Sequence, residues 1–312
     1  MPLSLRRGKV TAIAERHEGL VRLAVDGVPC IAYPAATGSV EVGDDVLVNV
    51  QARELELGSG GFDILHANLT RGLELEHEPG AHVMALPYTS LQQAVRHVEE
   101  EGELAESLDG MPVVCCSVHS QLAPVCAALA GLRVAYVQLA GGALTIALSD
   151  ALRALRERGL IEFVVAAGPC VGAEQAVNVY SALAWCRSRG AEVAVCSIGP
   201  GIVGTATAIG HGGVAAAQAV NAAAALGGRP VVAPRVSGAD ERPRHRGYSH
   251  HTEAVLRLCL AEPVVPEELD PAGWREASEG LPLSHMGRGP DDDPEFFAAA
   301  FAAGLLARSL VS

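Results

Sequence analysis

The residues of this chain whose types and spacing best suit chemistry lie in one stretch, Arg242-Pro243-Arg244-His245-Arg246-Gly247-Tyr248-Ser249-His250-His251-Thr252-Glu253. Three arginines and three histidines make a local positive island in a sequence whose 23 Lys and Arg face 36 Asp and Glu, a net charge of −13. Ser249 reads as the N-cap of an apolar helix running to about Leu260. That cap places His250 and His251 in the first turn, where the helix dipole disfavours protonation. Neutral imidazoles there can act as general bases or acids, or ligate a metal. Glu253, three residues after His250, shares its face and could orient an imidazole or complete a metal site. Arg244, His245, Arg246, Ser249 and Thr252 are the candidate ligand-binding residues of the same stretch. The plainer reading is a capped helix beneath a solvated basic loop.

Other candidates stand where strands are expected to end. Ser117-Val118-His119-Ser120-Gln121 places an imidazole after a strand, and His119 is the candidate partner of the histidine pair; a metal, if present, would take His119, His250 and Glu253. Gly141-Gly142 marks a loop where backbone could approach a ligand closely. Gly199-Pro200-Gly201-Ile202-Val203-Gly204-Thr205 is a G-x-G-x-x-G in strand-to-helix context, so Gly199, Gly201, Gly204 and Thr205 could cradle a phosphate or carboxylate at a helix start. Close packing by glycines explains the same pattern. The next strand ends in Arg235 without the acid that would bind a ribose hydroxyl, which disfavours NAD and leaves Arg235 to meet a 2′-phosphate. Val203 to Leu226 reads as a buried helix, with His211 about two turns inside it as a packing residue. His77-Glu78-Pro79-Gly80-Ala81-His82 has zincin-like residues, but its spacing is one residue too long and Pro-Gly breaks a helix.

These residues need elements to hold them. With 49% hydrophobic and 19% charged residues, 312 residues can bury one substantial core and a smaller accessory one. Residues 1–75 alternate and turn, at Asp26-Gly27 and Glu41-Val42-Gly43-Asp44, as a small β-barrel with its connector. Residues 76–312 alternate strands, near 81–87, 112–118, 132–139, 161–167, 192–198 and 230–236, with helices. Uninterrupted apolar runs such as Pro112-Val113-Val114-Cys115-Cys116 imply burial on both faces of a mostly parallel, doubly wound, Rossmann-like α/β sheet. Ligands in such sheets bind beyond the strands' carboxyl ends.

Composition excludes several classes. The acidic balance argues against nucleic acid and anionic membranes as partners, and no charge-free run is long enough to span a bilayer. Met1 to Gly8 is followed by no apolar signal core, which reads as a cytoplasmic chain. Lys9 is the only lysine, so a P-loop or internal Schiff-base lysine does not exist here. Eight cysteines without a C-x-x-C pair read as buried reduced thiols. The alanine-rich stretches 215–225 and 298–306 fit close helix packing, within the chain or across a homodimer.

Four stretches together, Gly141 to Leu144, Asn178 to Ser181, Gly199 to Thr205 and Arg244 to Thr252, resemble an uncharacterised bacterial family catalogued only as a domain of unknown function. The resemblance covers nearly the whole chain, barrel included, and implies no reaction. Where that family carries a histidine and further glycines before an acid, this sequence has Gly168-Pro169-Cys170-Val171-Gly172-Ala173-Glu174. The resemblance implies that the histidine is lost here or that Cys170 is in its place, with Glu174 the acid available. The expectation is a protein binding a small anionic metabolite, with acid–base or metal-assisted catalysis at His250 or His251 and no cofactor assigned. A metabolite-binding sensor and an NADP-dependent oxidoreductase are the alternatives.

Overall fold

The computed structural model describes residues 3–57, 60–76 and 78–311. The chain divides into two compact units, Met1–Val95 with Val171–Ala173, and Arg96–Cys170 with Glu174–Ser312. His77 of the zincin-like stretch lies outside the described residues.

In the first unit β1 (Leu5–His17), β2 (Leu20–Val25), β3 (Val28–Ala32), β4 (Asp45–Asn49) and β5 (Asp63–Asn68) close a barrel in the order β1-β2-β3-β5-β4. Asp26 and Gly27, with φ of 49° and 80°, make the β2–β3 turn that their types favour. Alternation along the strands sends Val10, Val21, Leu23, Val25, Val46, Val48 and Leu65 into one apolar core. Two single-turn helices, α1 (Pro34–Thr37) and α2 (Gln51–Glu54), belong to the same unit. The segment near 81–87, expected to open the α/β sheet, instead supplies β6 (Val83–Ala85), which pairs antiparallel with β7 (Gln93–Val95). Pro79-Gly80 before it and Pro87 after it leave too short a run for a central strand.

The second unit is built on six parallel strands, β8 (Pro112–Cys116), β9 (Val134–Leu139), β10 (Phe163–Ala167), β11 (Gln175–Ala176), β12 (Val193–Ile198) and β13 (Arg229–Ala233), in the order β11-β10-β9-β12-β8-β13. Every residue of β8, β9 and β12 is buried, as strands covered on both faces require, with Gln138 and Ser197 the polar members. The helices are α3 (Leu122–Ala128), α4 (Asp150–Glu157), α5 (Val179–Ser188), α6 (Ala215–Ala225), α7 (His250–Leu258), α8 (Trp274–Ala277) and α9 (Pro294–Ser309). α5 and α6 pack together on one face of the sheet, and α3 packs with α9 on the other. The alanine-rich faces of α6 and α9 are thereby buried within the chain.

A short antiparallel ribbon of β14 (Val236–Ser237) and β15 (Gly247–Tyr248) leads from β13 to α7. The chain runs from β9 toward α4 and from β12 toward α6, so the strand order reverses between these neighbours. No helix of the described residues is long and apolar enough to cross a membrane.

A histidine cluster around a buried arginine

Leaving β13, the backbone is gripped by Gln121, whose side chain donates to the carbonyls of Ala233 (2.9 Å) and Pro234 (3.1 Å) while accepting from the amides of Ser117 (3.0 Å) and Val118 (3.2 Å). One buried amide thus ties the ends of β8 and β13 together. Arg235 comes next, only 2% exposed. Its amide donates to Thr252 Oγ1 (2.8 Å), and its carbonyl accepts from the Ser249 amide (2.9 Å). Ser249 caps α7 as its type and position predict, its hydroxyl accepting from the His251 amide (3.2 Å) and pairing with His245 Nδ1 (2.7 Å).

These contacts gather four imidazoles. The His211 and His251 rings stack with centroids 3.8 Å apart and planes 13° from parallel. The His250 centroid lies 4.5 Å from His251, 4.7 Å from His245 and 5.4 Å from His211. Arg235 Nη1 donates to His251 Nδ1 (3.0 Å), and since a guanidinium only donates, that imidazole nitrogen must be the acceptor. Behind the rings lies an ionic network. Asp240 is 1% exposed and takes Arg242 through both oxygens (2.9 and 2.8 Å), with Arg288 at 3.3 Å and Arg235 at 3.5 Å. Arg288 also donates to Asp293 (3.1 Å), which accepts from Ser237 Oγ at 2.6 Å.

Burial dominates the electrostatics. It pushes His251 down to about 2 and His245 to about 3, with neighbouring His211 adding to the first and Arg235 and Arg242 to the second. His211 and His250 shift the same way, again chiefly through burial. Arg235 itself is lowered to about 10 by burial and by Arg242. The Arg242 hydrogen bonds hold Asp240 well below the ordinary carboxylate range. At neutral pH the cluster is therefore a set of uncharged imidazoles beside charged guanidiniums.

Several buried polar atoms here have no hydrogen-bond partner: both ring nitrogens of His211, Nε2 of His250, Nε of Arg235 and Nε2 of His285. The Ala208 carbonyl near His211 favours its charged form, yet no aligned hydrogen bond reaches either nitrogen. Each unmet group costs about 1–3 kcal/mol. Five such atoms gathered at the carboxyl end of one sheet call for a physical explanation, because buried polar groups are ordinarily paired.

The sequence candidates are distributed unevenly around this centre. His245, Ser249, His250, His251, Thr252 and Arg235 converge, and exposed Arg244 acts on His250 through its charge. Arg246 and Glu253 are exposed, and no hydrogen bond joins Glu253 to either imidazole among the described residues. His119 is engaged elsewhere, Nε2 with Ser149 Oγ (2.6 Å) and Nδ1 with the Ile198 carbonyl (3.1 Å). His119, His250 and Glu253 do not assemble a metal-ligand group. The group whose ligand atoms do converge, all within 4.8 Å of one another, is His211, His250 and His251.

His211 is the residue that sequence reasoning placed differently. Residues 203–212 form an exposed hairpin-like loop, with the Thr205 amide on the Gly210 carbonyl and the Gly212 amide on the Val203 carbonyl, both at 2.7 Å. A 3-10 turn over Gly212–Val214 follows, and α6 begins only at Ala215. Gly201, Gly204, Gly210, Gly212 and Gly213 explain this, since each costs a helix about 1 kcal/mol relative to alanine. His211 is presented by the loop, not embedded in a helix. Gly199 to Thr205 accordingly opens no helix, and Arg235 is enclosed in the cluster, so neither feature invoked for a dinucleotide takes that form. Gly142 and Gly199 serve packing: a Cβ on Gly142 would lie 2.1 Å from the Gly199 carbonyl oxygen, and one on Gly199 lies 2.2 Å from that of Ala143. Cys170 is a buried thiol whose backbone pairs with the Gln175 side chain.

Missed in the sequence were His285, Arg288 and Asp293, which reach the network from the segment preceding α9. His285 stacks on Phe296 (3.8 Å) and hydrogen-bonds Ser120 Oγ (2.8 Å) through Nδ1. Burial, then Arg235 and Arg288 against the opposing charge of Asp240, lowers it to about 3. Burial lowers His119 to about 4, opposed by the Ile198 carbonyl. Imidazoles held below their unfolded value of about 6.5 leave stability unchanged above that pH, and destabilise the fold as pH falls because only the unfolded chain takes the proton. These two alone should remove about 4 kcal/mol between pH 7.5 and pH 5, about 2 kcal/mol each. Urea unfolding at both pH values measures the loss, which His285→Asn should reduce by about 2 kcal/mol. Equal unfolding free energies at the two pH values would contradict this account.

The fold and site together define an α/β protein with an N-terminal β-barrel and a histidine–arginine cluster at the strand carboxyl ends. The chain belongs to the family described as a protein of unknown function (DUF3866), whose model matches residues 29–273. No curated protein matches it.

Proposed function

We propose that this protein binds a small phosphate- or carboxylate-bearing metabolite at the carboxyl ends of β8, β12 and β13. Arg235 and Arg244 supply positive charge, and His250 serves as general acid or base. The observation that carries the reading is Arg235 Nε, a buried cationic donor with no partner, beside the unpartnered Nε2 of His250. Around it four guanidiniums, of Arg235, Arg242, Arg244 and Arg288, face the carboxylates of Asp240, Asp293 and Glu253. In a strongly acidic chain this gathers guanidiniums at one place, where local positive charge favours an anion. His250 is the imidazole suited to proton transfer, because it is half-buried at the first turn of α7 while His251 is committed to Arg235.

Inorganic phosphate is the probe of the anion site. Titration calorimetry on the protein as purified should show saturable binding, and Arg244→Ala should weaken it about tenfold, near 1.4 kcal/mol. Arg244 is exposed, so this variant tests charge without disturbing the core. Absence of saturable phosphate binding at millimolar concentration, or equal binding by Arg244→Ala, would overturn the reading.

A further inference from the structure

We infer that His211, His250 and His251 form a binding site for one divalent transition-metal ion, of the zinc type. The inference rests on the anion-site reading only for location, and it answers a question that reading leaves open. A neutral imidazole carries one N–H and one lone pair. An anion can accept from the N–H groups, but a fully ionised one has no donor to offer the lone pairs. His211 has both nitrogens buried without a partner, and His250 has a buried, unpartnered Nε2. A metal cation satisfies the lone pairs that an anion leaves empty.

Geometry and chemistry agree with such an occupant. One ligand nitrogen from each ring lies within 4.8 Å of the other two. Three nitrogens about 2.0–2.1 Å from a tetrahedral zinc stand about 3.3 Å apart, so side-chain rotation must draw them together. Burial keeps the three imidazoles uncharged near neutral pH, the state that coordinates. Two of the ligands come from the first turn of α7, held by the Ser249 cap, and the third from the glycine-rich loop, which can adjust.

Two features of the metal-free arrangement must yield. The stacked planes of His211 and His251 cannot both aim a lone pair at one ion, so the stack opens on binding. Arg235 Nη1 occupies His251 Nδ1, so the metal competes with Arg235 for this ring. Once displaced, the guanidinium keeps its contact with Asp240 and is free to meet an anion that also fills the metal's open position. Metal and arginine would then bind one ligand together, and His250, its lone pair given to the metal, would act there as a ligand in place of an acid or base.

The test uses the full chain stripped with chelator and titrated with Co2+ alone, without phosphate. One Co2+ per chain is expected, with the visible absorption of a four- or five-coordinate nitrogen and oxygen site and no sulfur-to-metal charge-transfer band. His250→Gln, at a half-buried position on the surface of α7, should weaken uptake at least tenfold, as should His211→Gln, whereas His82→Ala at an exposed barrel-unit position should not. Circular dichroism confirms that each variant is folded. Failure to take up Co2+ or Zn2+, a thiolate charge-transfer band, or uptake unchanged in the folded His211→Gln/His250→Gln double variant overturns the proposal. Phosphate titrations of stripped and loaded protein keep the two ideas apart. Phosphate binding without metal uptake removes the metal site alone, and metal uptake without phosphate binding removes the anion reading alone.

Discussion

Replacing Asp240 with asparagine is expected to lower the unfolding free energy by about 3–5 kcal/mol, the range for removing one partner of a buried ion pair. Asp240 is the common acceptor for Arg242, Arg288 and Arg235, at 2.8, 3.3 and 3.5 Å. Arg235 is as buried as the carboxylate itself, so it cannot recover hydration when the charge disappears. Asparagine keeps the shape, and one side-chain oxygen can still accept from Arg242. The loss therefore reports charge and not volume. In a chain of this size the change corresponds to a fall in melting temperature of roughly 10 °C. Differential scanning calorimetry reads it directly. A loss below about 1 kcal/mol would mean that Asp293, reached through Arg288, neutralises the cluster by itself. The double variant Asp240→Asn/Arg235→Gln should recover part of the loss, since the buried guanidinium left without its carboxylate is removed with it.

The same network shows where sequence reading succeeds and where it stops. The parallel sheet is legible because a strand covered on both faces reads as a near-continuous apolar run, and Pro112 to Cys116 and Phe163 to Ala167 are such runs. The Ser249 cap and the two first-turn histidines were legible because capping is local, set by residues two or three apart. Arg235 was found as a strand-end residue, but its partner His251 lies sixteen residues on and its role depends on the β14–β15 ribbon that folds the chain back. Nothing local marks Arg288 or Asp293 as members, because the contacts that tie them to the network, Arg288 to Asp240 and Ser237 to Asp293, join segments about fifty residues apart in sequence. His211 was misplaced for a different reason. The alanines after it carry a strong helical signal, and a helix begun at Val203 runs over four glycines that oppose it, Gly204, Gly210, Gly212 and Gly213. Glycine density was the cue available, and it puts a histidine in a loop at a strand end, where ligands bind.

That loop is also where a single methyl group should do most damage. Gly212→Ala places a Cβ 2.0 Å from the Gly141 carbonyl oxygen and 2.5 Å from its carbonyl carbon. Both obstacles are backbone, so no rotamer change relieves the clash. In reverse, a Cβ on Gly141 would lie 2.7 Å from the Gly212 Cα, and its φ of 126° already excludes most side chains. The loops after β9 and before α6 are thus in direct backbone contact, and Val203, whose amide bonds the Gly141 carbonyl at 2.9 Å, lies in the same seam. Separating them by the 1 Å or more that a methyl requires should cost about 3 kcal/mol or more, at the upper end of overpacking effects. It also moves His211, the residue next in sequence, away from the rings of His250 and His251. Two losses are therefore expected together: a lower unfolding free energy, and at least a tenfold weaker uptake of Co2+ by the protein that remains folded. Gly142→Ala, which strikes the Gly199 carbonyl at 2.1 Å, should destabilise to a similar degree. Its effect on Co2+ uptake should be smaller, since its clash does not adjoin a ligand. If Gly212→Ala lowered stability without weakening Co2+ uptake, the seam would be a packing feature alone and His211 would not be a ligand. Normal stability in both variants would mean that the two loops do not meet as described.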